Sequence, residues 1–115
     1  MNVPPLSLSV KANGLLFVSG RVPLDMQTGV VETEIGKATK LALKNMDSIL
    51  KDNGLTVADV VKTTIFLIDL DKDYDTVNEI YAKHFKQPYP ARSVVQVSKL
   101  PLNSIIEIEC IAKLN

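Results

Sequence analysis

Arg92 opens a strand-like run, Arg92-Ser93-Val94-Val95-Gln96-Val97, behind Pro90-Ala91, and a short loop later Ile106-Glu107-Ile108-Glu109 sets two carboxylates among isoleucines. Fixed charges of both signs in otherwise apolar strands mark a candidate site for a small carboxylate ligand. Arginine suits that ligand because its planar guanidinium can hold both carboxylate oxygens at once and never loses its charge.

The elements that must position these groups can be read from spacing. Ser7 to Lys11 and Leu15 to Ser19 flank the turn-forming triplet Ala12-Asn13-Gly14, which predicts a β-hairpin, and Pro23 to Gly29 reads as a loop. From Glu34 to Lys51, the apolar residues Ala38, Leu41, Ala42, Met46, Ile49 and Leu50 recur every three or four positions, the stripe of a helix that Gly54 would stop. Val60 to Leu70 is dense in β-branched residues, and Ile65-Phe66-Leu67-Ile68 is apolar on both faces of a strand, which predicts a central one. A second helix fits Asp73 to Lys86, with Tyr74, Val77, Tyr81 and Phe85 on one face and charges that complement the helix dipole. Arg92 to Ser98 and Ile105 to Lys113 complete the order β-β-α-β-α-β-β. This is α+β, a single mixed β-sheet with two helices packed on one face. The last strand is apolar toward the helices (Ile106, Ile108, Cys110, Ala112) but also carries Ile105 and Ile111 on its other side. A second cover is therefore expected, supplied by further copies of the chain.

The 115 residues read as one domain, 1–115, in which thirteen Lys and Arg balance thirteen Asp and Glu. That balance removes the broad positive field of nonspecific nucleic-acid binding. Apolar runs are too short to cross a bilayer, and the first ten residues, with Pro4 and Pro5, do not read as a signal peptide, so a cytoplasmic setting is expected. Single copies of cysteine (Cys110) and histidine (His84) exclude an internal disulfide and a cysteine zinc site, and leave few ways to build a Cys/His or Ser/His pair. The chemistry sought is thus free of metal and of a side-chain nucleophile.

Taken in order, Val10 to Gly20, Pro23-Leu24-Asp25 with Thr28-Gly29, Asp59 to Thr64, Tyr81 to Phe85, Pro90-Ala91-Arg92-Ser93 and Leu100-Pro101 before Ile106-Glu107-Ile108-Glu109 give a sequence that resembles the reactive intermediate deaminase family (RidA/YjgF). The resemblance implies a chorismate-mutase-like fold, a homotrimer with ligand clefts between subunits, and no cofactor. It also implies the hydrolysis of reactive enamines and imines, such as 2-aminoacrylate, to 2-keto acids and ammonia. Position by position, it puts the carboxylate-binding arginine at Arg92 and the water-positioning acid at Glu107, with Ser19, Gly20 and the backbone of Val94 lining the cleft. Leu6 stands where many members carry a tyrosine, and Val94 where many carry cysteine.

Such chemistry asks for a held carboxylate and one placed water, tasks met by orientation and by a carboxylate of raised pKa. Against this stand plainer roles: a strand-end salt bridge for Arg92, a solvated position for Glu107, a core side chain for Cys110, a surface role for His84, and a loop-fixing bond for Asn78. Asp69, Asp71, Asp73 and Asp75 read as helix capping rather than a cation loop. If the last two strands form a hairpin, Glu107 lies across from Gln96 and Arg92 falls about 13 Å further along. A bulge, a register offset or a neighbouring subunit must then unite the pair. The rival functions are a non-catalytic 2-keto acid sensor and an endoribonuclease or translation inhibitor, the latter opposed by the zero net charge, the single histidine and only three tyrosines and three phenylalanines for stacking.

Overall fold

The computed structural model describes residues 3–115; residues 1–2, where the expected domain and the leader reading begin, lie outside the described residues. Two α-helices lie against one five-stranded mixed sheet. The first strands, β1 (Ser9–Ala12) and β2 (Leu15–Arg21), form the expected hairpin. Its turn residues Asn13 and Gly14 both take positive φ, +51° and +78°, as a two-residue turn between right-twisted strands requires.

Helix α1 (Ile35–Asp52) is capped by Glu34, whose carboxylate accepts from the amides of Lys37 and Gly36; these bonds hold its carboxyl below the ordinary range. At its far end Leu55 N–H donates to Leu50 C=O and Gly54 N–H to Lys51 C=O, a Schellman closure that needs the positive φ of Gly54. Strand β3 (Val60–Leu67) leads into α2 (Leu70–His84), which starts three residues earlier than the charge pattern predicts because Asp69 caps it, accepting from Lys72 N–H. The aspartate run is thus helix-capping in part, as expected. Strand β4 (Ala91–Gln96) then pairs parallel to β3, and β5 (Ile106–Lys113) pairs antiparallel to both β3 and β2.

The sheet order is β1-β2-β5-β3-β4, so the last two strands do not form a hairpin with each other. The β3-α2-β4 crossover takes one edge of β3 for β4, and β5 must use the other. Gln96 pairs with Leu67, and Leu67 with Ile106; Glu107 lies beside Phe66, not across from Gln96.

Every second residue of the strands enters one core with α1 and α2: Leu16 and Val18 from β2, Ile65 and Leu67 from β3, and Ile106, Ile108, Cys110 and Ala112 from β5. From the helices come Ala42, Leu43, Met46, Leu50, Val77 and Tyr81. Cys110 is buried there as expected, its thiol pushed up to about 12 by burial and then by the charges of Asp47 and Glu109. Among the described residues, no layer of this chain covers the opposite sheet face. Val10, Phe17 and Val95 stand 53%, 41% and 41% exposed on that side. Among the described residues no helix is long and apolar enough to cross a membrane.

Candidate functional site

The predicted site residues fall into two groups on opposite faces of the sheet. Arg92 pairs with Thr63, a core-facing residue of β3, so its side chain leaves on the helix side. There its guanidinium carbon lies 4.9 Å from the ring centroid of Tyr81 and 5.9 Å from that of Tyr74, both within cation–π range. Its Nη2 donates to Tyr74 Oη at 3.4 Å. Among the described residues Arg92 has no carboxylate within ion-pair distance, so the strand-end salt bridge is not formed. An arginine supported by aromatic faces and left without a counter-ion is a ready anion-binding group.

Tyr81 is itself fixed. Its hydroxyl shares a 2.7 Å hydrogen bond with buried Thr63 Oγ1, and its ring stacks 4.4 Å from that of Phe85. Burial pushes its hydroxyl pKa up, against the opposing effects of Thr63 and Arg92. Together with Ala82, Tyr89 and Pro90, Asn78, Tyr81 and Arg92 line a cavity of about 310 Å³, room for a ligand of a few heavy atoms.

Asn78 corrects the sequence reading, which favoured a loop-fixing bond. Its Oδ1 is buried with no hydrogen-bond partner among the described residues, an uncommon state for a native amide. The signal was present in the sequence, since Asn78 lies four residues after Tyr74 and three before Tyr81 on one helical face. Only the pairing of α2 with β4 shows that this face looks at Arg92.

Glu107 lies on the uncovered face, beside Phe66. Its carboxylate is pressed against Gly20 so closely that a Cβ built at position 20 would overlap Oε2. The sequence permits this contact by placing glycine in an irregularity of β2: Val18 pairs with Cys110 but Arg21 with Ile108, three residues against two. An irregularity was expected, but it joins Gly20 to Glu107 rather than Arg92 to Glu107. Burial pushes the Glu107 carboxyl pKa up and the neighbouring charge of Glu109 adds to this, with Arg21 acting in the opposite direction. Ser19, next to Gly20, donates from Oγ to Ser7 C=O at 2.6 Å and so ties β2 to the N-terminal segment.

Val94 sits in β4 two residues beyond Arg92, paired with Ile65 and packed on the core. Arg92 and Glu107 are separated by the width of β3 and three residues along it, roughly 10 Å in each direction, and point to opposite faces. Within one chain, then, Gly20 and Glu107 form one cluster and Arg92, Asn78 and Tyr81 another. His84 stands partly exposed in the last turn of α2, as expected, and there lies 2.9 Å from Asp47, linking the end of α2 to α1.

The model of one family, described as endoribonuclease L-PSP, matches residues 2–114. The chain is 54% identical over 111 residues to Reactive Intermediate Deaminase A, chloroplastic, of Arabidopsis thaliana; this covers 96% of the chain but 59% of that relative. It is 42% identical to the human 2-iminobutanoate/2-iminopropanoate deaminase, covering 96% of the chain and 80% of the relative. The fold is similar to the crystal structure of RidA from a Psychrobacter species, with a TM-score of 0.92, 31% identity and coverage of 99% and 92% of the two chains.

Proposed function

The chain belongs to the reactive intermediate deaminase (RidA/YjgF) family, and from that premise we propose that it hydrolyses 2-aminoacrylate-type enamines and imines to 2-keto acids and ammonia. The observation that carries this reading is the divided site: a guanidinium without a counter-ion on one face and a carboxylate of raised pKa, held against Gly20, on the other. Each half is unfinished alone, and each supplies what the other lacks.

Arg92 holds the substrate carboxylate, with Asn78 Oδ1 accepting a hydrogen bond from the ligand beside it. Glu107 orients a water against the C=N carbon and takes one of its protons as the C–O bond forms. It then returns that proton to the nitrogen. The hydroxyl proton of the resulting carbinolamine passes to the same nitrogen through Glu107 as the C–N bond breaks, so the carbonyl forms and ammonia leaves. Because the imine carbon is already electrophilic, most of the gain comes from orientation. Since Arg92 and Glu107 of one chain face apart, the working cleft takes Arg92 from one copy and Glu107 from the next, in a homotrimer. The backbone at Val94 and the Ser19-Gly20 corner line it.

Ammonia release from freshly generated 2-aminoacrylate tests this reading. Arg92→Ala is expected to abolish both turnover and 2-keto acid binding; Glu107→Ala is expected to abolish turnover and spare binding. Binding that depends on Arg92 without any turnover in the unaltered protein would make it a 2-keto acid sensor instead. The description of the family model favours RNA cleavage as a second reading. Cleavage of RNA with a steeply salt-dependent affinity would establish it in place of the first.

A further inference from the structure

Helix α2 presents Tyr74, Asn78 and Tyr81 at spacings of four and three, one stripe of the helix surface, and β4 brings Arg92 across it. The two tyrosines that meet the guanidinium differ. Tyr81 is 5% exposed and anchored at its hydroxyl by Thr63, so it forms a rigid floor under the cation. Tyr74 is 39% exposed, and the bond it accepts from Arg92 Nη2 is the one hydrogen bond of its hydroxyl among the described residues. An arginine side chain on an edge strand has four rotatable torsions, and a floor alone leaves it free to slide over the ring. A contact at one corner of the guanidinium removes that freedom.

We propose that Tyr74 is a positioning residue for the substrate carboxylate: its ring and hydroxyl hold Arg92 in one orientation, with one corner engaged and the remaining N–H edge directed into the cavity beside Asn78. The proposal rests on the deaminase reading for its substrate, but the clamp itself is a property of the free protein. Tyr74 touches Arg92 and not the reacting atoms. It therefore acts on carboxylate capture, which is the same in the bound substrate and in the transition state, and losing it raises KM while leaving kcat in place.

The clamp is measured first without any ligand, as the rate of rotation of the Arg92 guanidinium by NMR, and then as the steady-state constants for 2-aminoacrylate turnover. Tyr74→Phe keeps the ring and loses the hydroxyl; Tyr74→Leu loses both. The expected result is guanidinium rotation that quickens from the unaltered protein to Phe to Leu. KM should rise about 3-fold in Tyr74→Phe and roughly 10-fold in Tyr74→Leu, with kcat within 2-fold, as expected for a weak charge-assisted bond and a partly exposed cation–π contact. If Tyr74→Leu does not fold, Tyr74→Phe alone decides the matter. Unchanged Arg92 rotation in both variants would overturn the clamp even if Arg92→Ala abolishes activity. Full turnover by Arg92→Ala would instead overturn the functional reading, and with it the role of Tyr74 in substrate capture.

Discussion

The proposed reaction asks Glu107 to act as a base, although its surroundings favour its proton. Burial, reinforced by Glu109, raises its pKa, so the folded chain holds this proton more tightly than the unfolded chain does. The stability contributed by the group is thus fully present at low pH and is lost as pH rises through the raised value. Glu107→Gln removes the ionisation and is expected to melt at or above the temperature of the unaltered protein at neutral pH, an advantage that shrinks under acid conditions. Its turnover should nonetheless fall by about 10²–10⁴-fold, the usual worth of a general base. Thermal melts at two pH values beside an ammonia-release assay check both halves, and a melt well below that of the unaltered protein at neutral pH would contradict the assignment. Gly20 makes a sharper case. The methyl of Gly20→Ala would land on the end of a flexible side chain, which can swing away, so folding should change little while the Glu107 carboxylate loses its place. A near-normal melt with turnover reduced at least about 10-fold is expected, since small misplacements of a catalytic group are costly; normal turnover would show that the contact is incidental.

At the scale of elements, most of the fold was legible because its signals are local. The helix α1 stripe, the Asn13-Gly14 turn and the Gly54 stop each depend on neighbours within a few residues, and the chain forms all three. The misreadings have two causes, one local capping bond and, for the rest, contacts between segments far apart in the chain. The start of α2 moved because a capping bond from Asp69 outweighed the charge pattern that pointed to Asp73. Pairing of β5 with β3 rather than β4 is decided by the crossover through α2, which periodicity does not encode. Arg92 and Glu107 could be singled out by residue type, yet their opposite faces follow only from that strand order. The place of Asn78 beside Arg92 and the pairing of His84 with Asp47 were hidden for the same reason. One such long-range contact supports the site directly: the Thr63 hydroxyl that pins Tyr81 beneath Arg92. Thr63→Val keeps the shape and orphans the buried tyrosine hydroxyl, with an expected loss of about 1–3 kcal/mol in stability by denaturant unfolding. A loss confined to a few tenths would mean that Tyr81 finds another partner and that its position is set by packing alone.

At the scale of the molecule, the uncovered sheet face and the divided site point to the same conclusion. Val10, Phe17 and Val95 expose apolar surface on the side where Glu107 sits, and in the proposed homotrimer another copy covers that surface and supplies the missing Arg92. A shared cleft has a consequence that no arrangement within one chain reproduces. Arg92→Ala and Glu107→Ala are each expected to be inactive, but in a mixed trimer a boundary where the first supplies Glu107 and the second supplies Arg92 is intact. Random assembly from equal amounts leaves about one quarter of the boundaries whole in a closed ring. Co-expression of the two variants, with mixed trimers confirmed by native mass spectrometry, should therefore recover about a quarter of the normal ammonia release. Confirmed mixed trimers with no activity would place both groups in one subunit's own site, which the strand order of the sheet would then have to be distorted to allow.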